Sequence, residues 1–381
     1  THADGAVETY RCAYLVGCDG AHSAVRHGLG LAFEGAPYEQ AFVLADARIE
    51  WPLPRDGLVL TLGSPGVVAA FPFSDGTHRL IVTAPGHGEN ADVPLTVVEV
   101  ERLVRQVSGV DIRVSDPVWL SRFRLHHRIA ERYGVGCAFL VGDAAHIHSP
   151  AGGQGMNTGI QDAANLAWKL ALVLQGQAGS SLLESYNVER RPIGEVLLKR
   201  TDRLFEAAAT ASRWVVAARN FVIPRLAPLM FRYRALRQRL FRFVSQLGIH
   251  YRTSPVVINA GDGSGPRAGD RAPDATLRRD GVDLNLFHAM RGVEHRLLVF
   301  GGGPIPVELS QRLPFPCRTI EIERGAGTFD DPHGEAHARY GVGASGAIFL
   351  VRPDGYIGVR ASSATLVSAL HRYAEVLGAA R

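Results

Sequence analysis

The chain has 381 residues, 46% hydrophobic and 20% charged, as is typical of a globular protein with two or three domains. A net charge of only +4, spread along the sequence, and no uninterrupted apolar span of membrane length predict no nucleic-acid partner and no membrane association. The sequence also shows no signal peptide. Four scattered cysteines without a CxxC pair predict reduced thiols in a cytoplasmic protein: Cys12, Cys18, Cys137 and Cys317.

The first predicted element is a short apolar strand, Tyr14-Leu-Val-Gly-Cys, which is followed by Asp19-Gly20. Ser23 can cap the next helical turn, and Arg26 can meet a phosphate or a nicotinamide cofactor. Considered alone, a strand that ends in Asp-Gly is usually only a turn. This motif therefore gains meaning only in combination with a second one.

An antiparallel sheet is predicted from Phe33 to about Leu125. The apolar runs LVLTLG, GVVAAFPF and HRLIVTAP are short and are separated by Gly, Pro and Asp-Gly turns. The apolar spacing of TVVEVERLVRQVSG then predicts a helix from Thr96 to Ser108.

A second strand that ends in an aspartate follows this region. Residues 137–141 form a short apolar run, and GDAAHIHSPAGGQGMNTGIQDAANLAWKL begins at Gly142. Asp143 therefore lies at the carboxyl end of a buried strand, which is where open α/β sheets bind their ligands. An ionised carboxylate at this place can accept hydrogen bonds from ligand hydroxyls.

The glycines that follow can bring bare backbone close to a flat ligand, since no Cβ intervenes: Gly152, Gly153 and Gly155. A helix with Asn157 or Thr158 as its N-cap comes next, and its N-terminus stabilises negative charge. The pattern predicts a ligand that is planar, polyhydroxylated and at times anionic. An ordinary strand, loop and helix is the less favoured interpretation.

Two helical regions are predicted downstream. SLLESYNVERRPIGEVLLKRTDRLFEAAA is helical, with Pro192 marking a break or kink, and Arg190 and Arg191 are expected to make structural ion pairs. The segment from Trp214 to Tyr251 is basic and apolar. A membrane-surface helix is one interpretation; helices that pack on neighbouring domains with their arginines in water are the preferred one.

A Pro-, Gly- and Asp-rich connector marks a boundary near Ser254. Beyond it, HRLLVFGGG, CRTIEIERG and GAIFLVRPDGYIGVRA predict strands, with a hairpin turn at Arg352-Pro-Asp-Gly355, and TLVSALHRYAEVLGAA predicts the last helix. This order suits a thioredoxin-like domain. Because it lacks a CxxC pair, it cannot exchange dithiols, and we expect a structural role or an oligomer contact such as a homodimer.

No metal site is predicted, because His146 and His148 lack a convincing set of partner ligands. Instead, the two aspartate motifs resemble those of the single-component flavoprotein aromatic hydroxylases. CDGAHSAVR matches the Asp-Gly motif of that family, and the segment beginning at Gly142 matches its Gly-Asp motif almost throughout. The most similar branch carries a thioredoxin-like C-terminal domain and includes phenol hydroxylases and hydroxylases that tailor aromatic polyketides in antibiotic biosynthesis.

The resemblance implies FAD as cofactor, NADPH or NADH as reductant, and O2 and a small aromatic molecule as substrates. Asp143 would bind the ribityl chain, the backbone of residues 155–157 would face the pyrimidine end of the flavin, and Asp19 would serve both FAD placement and NAD(P)H use. The implied cofactor-binding set is Asp19, Gly20, Arg26, Gly142, Asp143, Pro150, Gly153, Gly155, Met156 and Asn157.

In this family an antiparallel sheet covers the flavin, so Phe71 and Phe73 could line the substrate pocket. Packing in the core is the favoured interpretation for both rings. No catalytic base is predicted from the sequence.

The family begins with a strand, a GxGxxG turn and a helix that bind the ADP half of FAD, and no GxGxxG precedes a helix in this sequence. We therefore expect an α/β and α+β protein with an incomplete three-layer FAD-binding domain. Its parts would be residues 1–32 and 128–253, with an antiparallel substrate sheet at 33–127 and a thioredoxin-like domain at 254–381.

The resulting hypothesis is an FAD-dependent monooxygenase that hydroxylates a phenolic or polyketide substrate. NAD(P)H would reduce FAD, O2 would add to give a C4a-hydroperoxide, and the aromatic ring would attack its distal oxygen. Two alternatives stay open. One is a flavin epoxidase or Baeyer–Villiger enzyme, and the other is a truncated, non-catalytic remnant that binds an aromatic ligand or a partner. The fragment alone could be inactive.

Overall fold

The computed structural model describes residues 5–63, 66–84, 94–148, 153–209, 213–301, 313–325 and 328–378. Within these ranges the chain forms three sheets. The helices there are α1 Ala24–Gly28, α2 Val97–Ser108, α3 Gly155–Leu174, α4 Glu184–Ala209, α5 Arg213–Arg232, α6 Arg234–Val244, α7 Leu286–Ala289, α8 Glu335–Tyr340 and α9 Leu366–Val376.

The smallest sheet carries both aspartate motifs. Its strand order is β1 Leu15–Gly17, β8 Ala138–Leu140 and β7 Gly134–Val135, with β1 and β8 parallel. The two apolar runs thus form the strands that the sequence predicts. Although they are more than a hundred residues apart in the chain, they are direct neighbours.

The second sheet is antiparallel, as predicted. Its order is β3 Val59–Gly63, β4 Gly66–Pro72, β5 His78–Ala84, β2 Phe33–Glu50, β6 Arg113–Ala130 and β9 His146–Ile147. Helix α2 covers one face, because its apolar residues recur at helical spacing on one side. Those that are buried against the sheet are Val100, Leu103, Val104 and Val107. Thr96 is the N-cap of α2, which confirms the predicted start of this helix.

The third sheet forms the thioredoxin-like C-terminal part. Its order is β10 Ile258–Ala260, β17 Ile357–Ala361, β16 Ala347–Val351, β13 His295–Phe300, β14 Cys317–Glu323, β15 Phe329–Asp330, β11 Thr276–Arg279 and β12 Val282–Asn285. Helix α9 packs on one face, and Trp168 and Leu172 of α3 join the same apolar cluster. The core of the C-terminal part is therefore continuous with the helix that follows the glycine-rich loop.

The intervening helices depart in part from expectation. Helix α4 continues through Pro192, so the chain does not break there. The end of α6 contacts Gln154 through the carbonyls of Phe243 and Val244, and the arginines of α6 are exposed as expected. Helix α6 buries none of its residues, however, and several large apolar side chains of α5 and α6 are exposed: Trp214, Phe221, Phe231 and Phe241. Among the described residues, no helix combines the length and the apolar character needed to cross a bilayer.

Candidate functional site

The parallel pairing of β1 and β8 brings the two aspartates to one edge of the small sheet. Gly17 is opposite Leu140, and the N–H of Val141 donates to the carbonyl of Gly17 at 3.0 Å. Asp19 and Asp143 follow directly, and both are exposed. The carboxyl ends of parallel strands meet at the same edge, so two carboxylates with distant sequence positions face one site.

The Asp-Gly motif presents its carboxylate in ionised form. A hydrogen bond from the Ser23 hydroxyl, helped by backbone N–H groups, lowers the pKa of Asp19, and the N–H of Val25 donates to Oδ2 at 3.2 Å. The Ser23 Oγ accepts from the N–H of Arg26 at 3.0 Å, which confirms Ser23 as the predicted cap. Gly20 has φ +80°, a conformation that favours glycine in this turn.

The buried side chain of Arg26 connects the Asp-Gly motif to the Gly-Asp motif. It is 2% exposed, and its guanidinium donates to the carbonyls of Ala144 at 2.9 Å and Ala21 at 2.8 Å while it lies 3.8 Å from the centre of the Phe33 ring. This geometry holds the loop after Asp143 against the turn after Asp19. A contact of Arg26 with phosphate or nicotinamide stays a prediction, and the observed bonds favour a positioning role.

Helix α3 begins at Gly155 with Gln154 as N-cap, so the prediction of Asn157 or Thr158 as cap is wrong. Thr158 cannot serve as the cap because it already lies within the helix, and the helix begins upstream of Asn157 because Gln154 is anchored to the end of α6. Gln154 donates to the carbonyls of Phe243 and Val244 at 2.9 and 3.3 Å, and the Thr158 hydroxyl donates to the carbonyl of Gln154. No side chain caps this N-terminus, and no acidic residue lies in its first turn.

The predicted contacts around the helix start are open to a ligand. Gly153 and Asn157 are exposed, and Met156 is 77% exposed. Gly153 has φ +64° and open space where a Cβ would lie. Pro150, and with it Gly152, lies outside the described residues.

Two glycines set how closely α3 approaches the small sheet. Gly142, at φ +61°, lies against Gly159, and a Cβ added to Gly159 would come within 3.2 Å of the Gly142 Cα. The close approach places the N-terminal turn of α3 directly beside Asp143. Glycine is favoured at Gly142 by its backbone conformation and at Gly159 by this close contact.

A buried ion pair that the sequence analysis did not predict supports this turn. Asp162 Oδ1 accepts from Arg190 Nε at 2.6 Å, and Asp162 Oδ2 bonds His146 Nε2 at 2.9 Å and the Gly142 N–H at 3.3 Å. Burial acts to raise the pKa of Asp162, but Arg190 and His146 outweigh it and hold the pKa below its usual value. The pair confirms the predicted structural role of Arg190.

A signal for this network was present in the sequence. Polar residues recur at spacings of four, three and four along an otherwise apolar stretch of α3, and all are buried: Thr158, Asp162, Asn165 and Lys169. Such a polar stripe on one helix face indicates a buried polar network rather than a solvated face.

The open face of the second sheet carries aromatic side chains. Phe42 and Phe123 are stacked with ring centres 5.7 Å apart, and Ile81 packs against them. Phe71 and Phe73 are 39% and 42% exposed. The favoured expectation that they are core aromatics is therefore wrong, because the alternation of β4 directs Val68 and Ala70, not Phe71, toward α2.

The aromatic sheet and the glycine-rich loop are structurally continuous. Strand β9, within that loop, pairs with the end of β6 through Ile129 opposite His146 and Arg128 opposite Ile147. The loop that follows Asp143 is thus an edge strand of the sheet that presents the aromatic face. A flat ligand beside the loop and an aromatic molecule on the sheet would be held by one framework.

The described residues fit the isoalloxazine and ribityl half of FAD. Asp143 is an exposed acceptor for hydroxyls, Gly153 leaves room for a planar ring, and the uncapped start of α3 offers N–H groups to an anionic pyrimidine end. The donor set therefore matches the planar, polyhydroxylated and anionic ligand that the sequence predicts.

Comparison with known proteins agrees with this site. Residues 1–201 match the family model described as FAD binding domain, and residues 265–380 match the model for the C-terminal part of aromatic-ring hydroxylases. The chain is 35% identical to a 6-methylpretetramide 4-monooxygenase of Streptomyces rimosus, over 96% of this chain and 67% of the relative. It is 31% identical to a pentachlorophenol 4-monooxygenase of Sphingobium chlorophenolicum, over 94% of this chain and 67% of the relative.

Solved structures give the same result. An aromatic hydroxylase from angucycline biosynthesis superposes with a TM-score of 0.74 at 30% identity, over 97% of this chain and 70% of the other. The anhydrotetracycline hydroxylase from Streptomyces rimosus superposes with a TM-score of 0.72 at 33% identity, over 95% of this chain and 69% of the other. The chain therefore belongs to the FAD-dependent aromatic-ring hydroxylases, a family of flavoprotein monooxygenases.

Proposed function

We propose that this protein hydroxylates a phenolic ring of a polyketide or related small aromatic molecule, using FAD, O2 and either NADPH or NADH. The observation that carries the proposal is the meeting of Asp19, Asp143 and the uncapped N-terminus of α3 at one sheet edge. Relatives named for 6-methylpretetramide and anhydrotetracycline support the polyketide class, and the pentachlorophenol 4-monooxygenase supports the wider class of phenols. We retain the domain boundaries predicted from the sequence as part of this proposal.

The cofactor would supply the oxygen-activating chemistry, and the protein would supply position and electrostatics. Asp143 would accept hydrogen bonds from the ribityl hydroxyls. The N–H groups of Gly155, Met156 and Asn157 would stabilise negative charge at the pyrimidine end through the helix dipole. Asp19, ionised at the same edge, would contact the cofactor and the nicotinamide donor.

The open face of the second sheet would orient the aromatic substrate. The exposed Phe71 and the half-buried Phe123, whose ring stacks on the buried Phe42, offer ring faces for offset or edge-to-face contacts. Phe73 lies beside Arg79, whose guanidinium is 5.5 Å from the ring centre and is paired with Asp46. Because Asp46 already neutralises this guanidinium, Arg79 would hold the Phe73 ring in place, and the apolar rings would exclude water.

The experiment is a titration of the purified chain with FAD, followed by flavin fluorescence. Asp143→Ala should weaken FAD binding roughly ten-fold, as expected for the loss of charge-assisted hydrogen bonds. The exposed, remote Asp56→Ala is the matched control and should bind FAD like the parent chain. Equal FAD affinity in parent and Asp143→Ala would remove Asp143 from the site.

Turnover tests the reaction class. With an aromatic polyketide phenol, NAD(P)H oxidation should be accompanied by a product that carries one oxygen atom from ¹⁸O2. Stoichiometric peroxide without hydroxylated product would refute the monooxygenase assignment. Tight binding of the aromatic molecule without any FAD binding would instead support a non-catalytic binding module.

A further inference from the structure

A second buried charge cluster joins the flavin helix α3 to the C-terminal domain. Arg352 donates to both oxygens of Glu189, at 2.7 and 2.9 Å, and both side chains are fully buried. Glu189 also accepts hydrogen bonds from the Lys169 ammonium at 2.8 Å and from the Ser254 hydroxyl at 2.6 Å. Burial lowers the pKa of Lys169 to about 8, while Arg352 and Lys169 outweigh burial at Glu189 and keep its pKa well below the usual value.

The hairpin turn of the C-terminal domain also contacts α3 itself. Asp354 accepts hydrogen bonds from Asn165 Nδ2 at 3.1 Å and from Trp168 Nε1 at 3.2 Å, and it pairs with Arg352. Asn165 in turn donates to Glu189 at 2.7 Å. The hairpin therefore bonds α3 at two successive turns, about 15 Å along the helix from its N-terminus.

This cluster is connected to the support of the Gly142 turn. Arg190, next to Glu189 in α4, bonds Asp162 on one side and the Tyr251 hydroxyl at 2.9 Å on the other. The Arg352 guanidinium lies 5.3 Å from the centre of the Tyr251 ring. A continuous set of bonds and ring contacts thus runs from the hairpin to the turn that carries Asp143.

We propose that Arg352, in the C-terminal domain, is a positioning residue for the flavin site. Its two-pronged bond holds Glu189 of α4, and Glu189 accepts hydrogen bonds from Asn165 and Lys169 of α3. These bonds together fix α3, and thereby the helix N-terminus beside Asp143. A bidentate Arg–carboxylate pair permits little sliding or rotation, which a single point charge would allow. The reference to flavin rests on the proposed function, whereas the fixing of α3 does not. This gives the C-terminal domain a role in the cofactor site, although its hairpin bonds α3 about ten residues beyond the helix start.

The chain offers a matched control. Arg360 lies in β17 of the same domain, is 2% exposed like Arg352, and donates to the carbonyls of Pro266, Asp262 and Ser264. All of these acceptors belong to the C-terminal domain. Arg360→Met therefore removes a buried arginine of the same domain without touching α3 or α4.

The experiment is native-state hydrogen exchange on the full chain without FAD, for parent, Arg352→Met and Arg360→Met. In Arg352→Met, backbone amides of residues 140–148 and 155–162 should exchange about ten-fold faster than in the parent, within the range of measured long-range couplings. In Arg360→Met, exchange should rise only within the C-terminal domain. Exchange at 140–162 that is unchanged in Arg352→Met, or equally raised in both variants, would overturn the proposal.

A second variant and an FAD titration complete the test. If Arg352→Met does not fold, Arg352→Lys keeps the charge without the fork and should show a smaller rise at the same amides. FAD titration of each chain separates the two proposals. If Arg352→Met exchanges faster at these amides but neither it nor the parent chain binds FAD, the positioning of α3 stands and the flavin function is refuted. If Arg352→Met and the parent chain bind FAD with equal affinity and exchange at equal rates, the positioning alone is refuted.

Discussion

Asp162 is the residue on which the support of the site converges. Its two oxygens hold a guanidinium from α4, an imidazole from β9 and the N–H of Gly142, and it is fully buried. A buried charge is tolerated only when paired, because desolvation costs several kcal/mol per ion. The ion pair therefore favours the one arrangement in which α3, α4 and the Gly142 turn meet.

We expect Asp162→Asn to lower the free energy of unfolding by about 3 kcal/mol, because it leaves the buried Arg190 without a counter-charge. Urea denaturation followed by circular dichroism measures the change. The exposed pair of Arg278 with Asp283 provides the control, and Asp283→Asn should leave the denaturation midpoint unchanged. A similar small effect for both variants would show that the buried pair is not required for the fold.

At the scale of elements, the contact between α3 and the small sheet decides the geometry of the site. It depends on two glycines, Gly142 and Gly159, that allow the backbones to touch. A helix start without a side-chain cap is available to an anion only if the helix is held close to the strand that carries Asp143. The distance between α3 and strand β8, rather than the stability of α3, therefore determines whether the helix start can bind an anion beside Asp143.

Gly159→Ala separates these two quantities. Alanine favours the helix by about 1 kcal/mol, which offsets the cost of a Cβ at 3.2 Å from the Gly142 Cα, so the melting temperature should change little. FAD affinity should nevertheless fall roughly five-fold, or about 1 kcal/mol, because α3 shifts away from Asp143.

The control for this prediction is Gly28→Ala in α1, where an added Cβ meets no atom within 4 Å. Its FAD affinity, measured by fluorescence titration, should equal that of the parent chain. A melting temperature and an affinity that fall together in Gly159→Ala would point to general destabilisation rather than displacement of α3.

For the whole molecule, α3 connects the core beside the small sheet to the core of the C-terminal domain. Its first turns contact the small sheet, and Trp168 and Leu172 enter the apolar cluster of the C-terminal domain. His295 of β13 lies in that cluster, edge-on to Trp168 with ring centres 5.5 Å apart, and bonds the Tyr373 hydroxyl at 3.2 Å. Burial, together with Arg352 and Arg296, lowers the pKa of His295 to about 3.

This shift makes the stability of the molecule sensitive to acid. The folded chain keeps His295 neutral down to about pH 3, whereas the unfolded chain binds the proton near pH 6.5, so the unfolded state holds more protons between these values. At pH 5 the group should therefore reduce the free energy of unfolding by about 2 kcal/mol relative to pH 7 and above.

Melting temperatures of parent and His295→Gln between pH 5 and pH 7.5 test this. The variant should lose less stability on acidification than the parent, while exposed His371→Gln should behave like the parent. An identical pH dependence in parent and His295→Gln would mean that His295 does not resist protonation in the folded state.

The sequence by itself determined the elements and the family, because strands, caps and hairpins depend on neighbours in the chain. The strands ending at Asp19 and Asp143, helix α2 with its Thr96 cap and the hairpin at residues 352–355 all follow from local pattern. So does the glycine-rich loop, whose resemblance to the Gly-Asp motif of the family implies a flavin ligand. The N-cap of α3 was predicted three or four residues late, because tertiary bonds from Gln154 to the carbonyls of Phe243 and Val244 anchor the helix start further upstream.

Only the tertiary structure decided which side chains support the site. Arg26 bonds a carbonyl 118 positions away, and Arg352 bonds a carboxylate 163 positions away, so no local pattern pairs them. The exposure of Phe71 likewise depends on which sheet face α2 covers. The physical reason is burial, which tertiary packing sets. A buried polar side chain must find a hydrogen-bond or ionic partner, and an aromatic side chain on the uncovered sheet face is left available to a substrate.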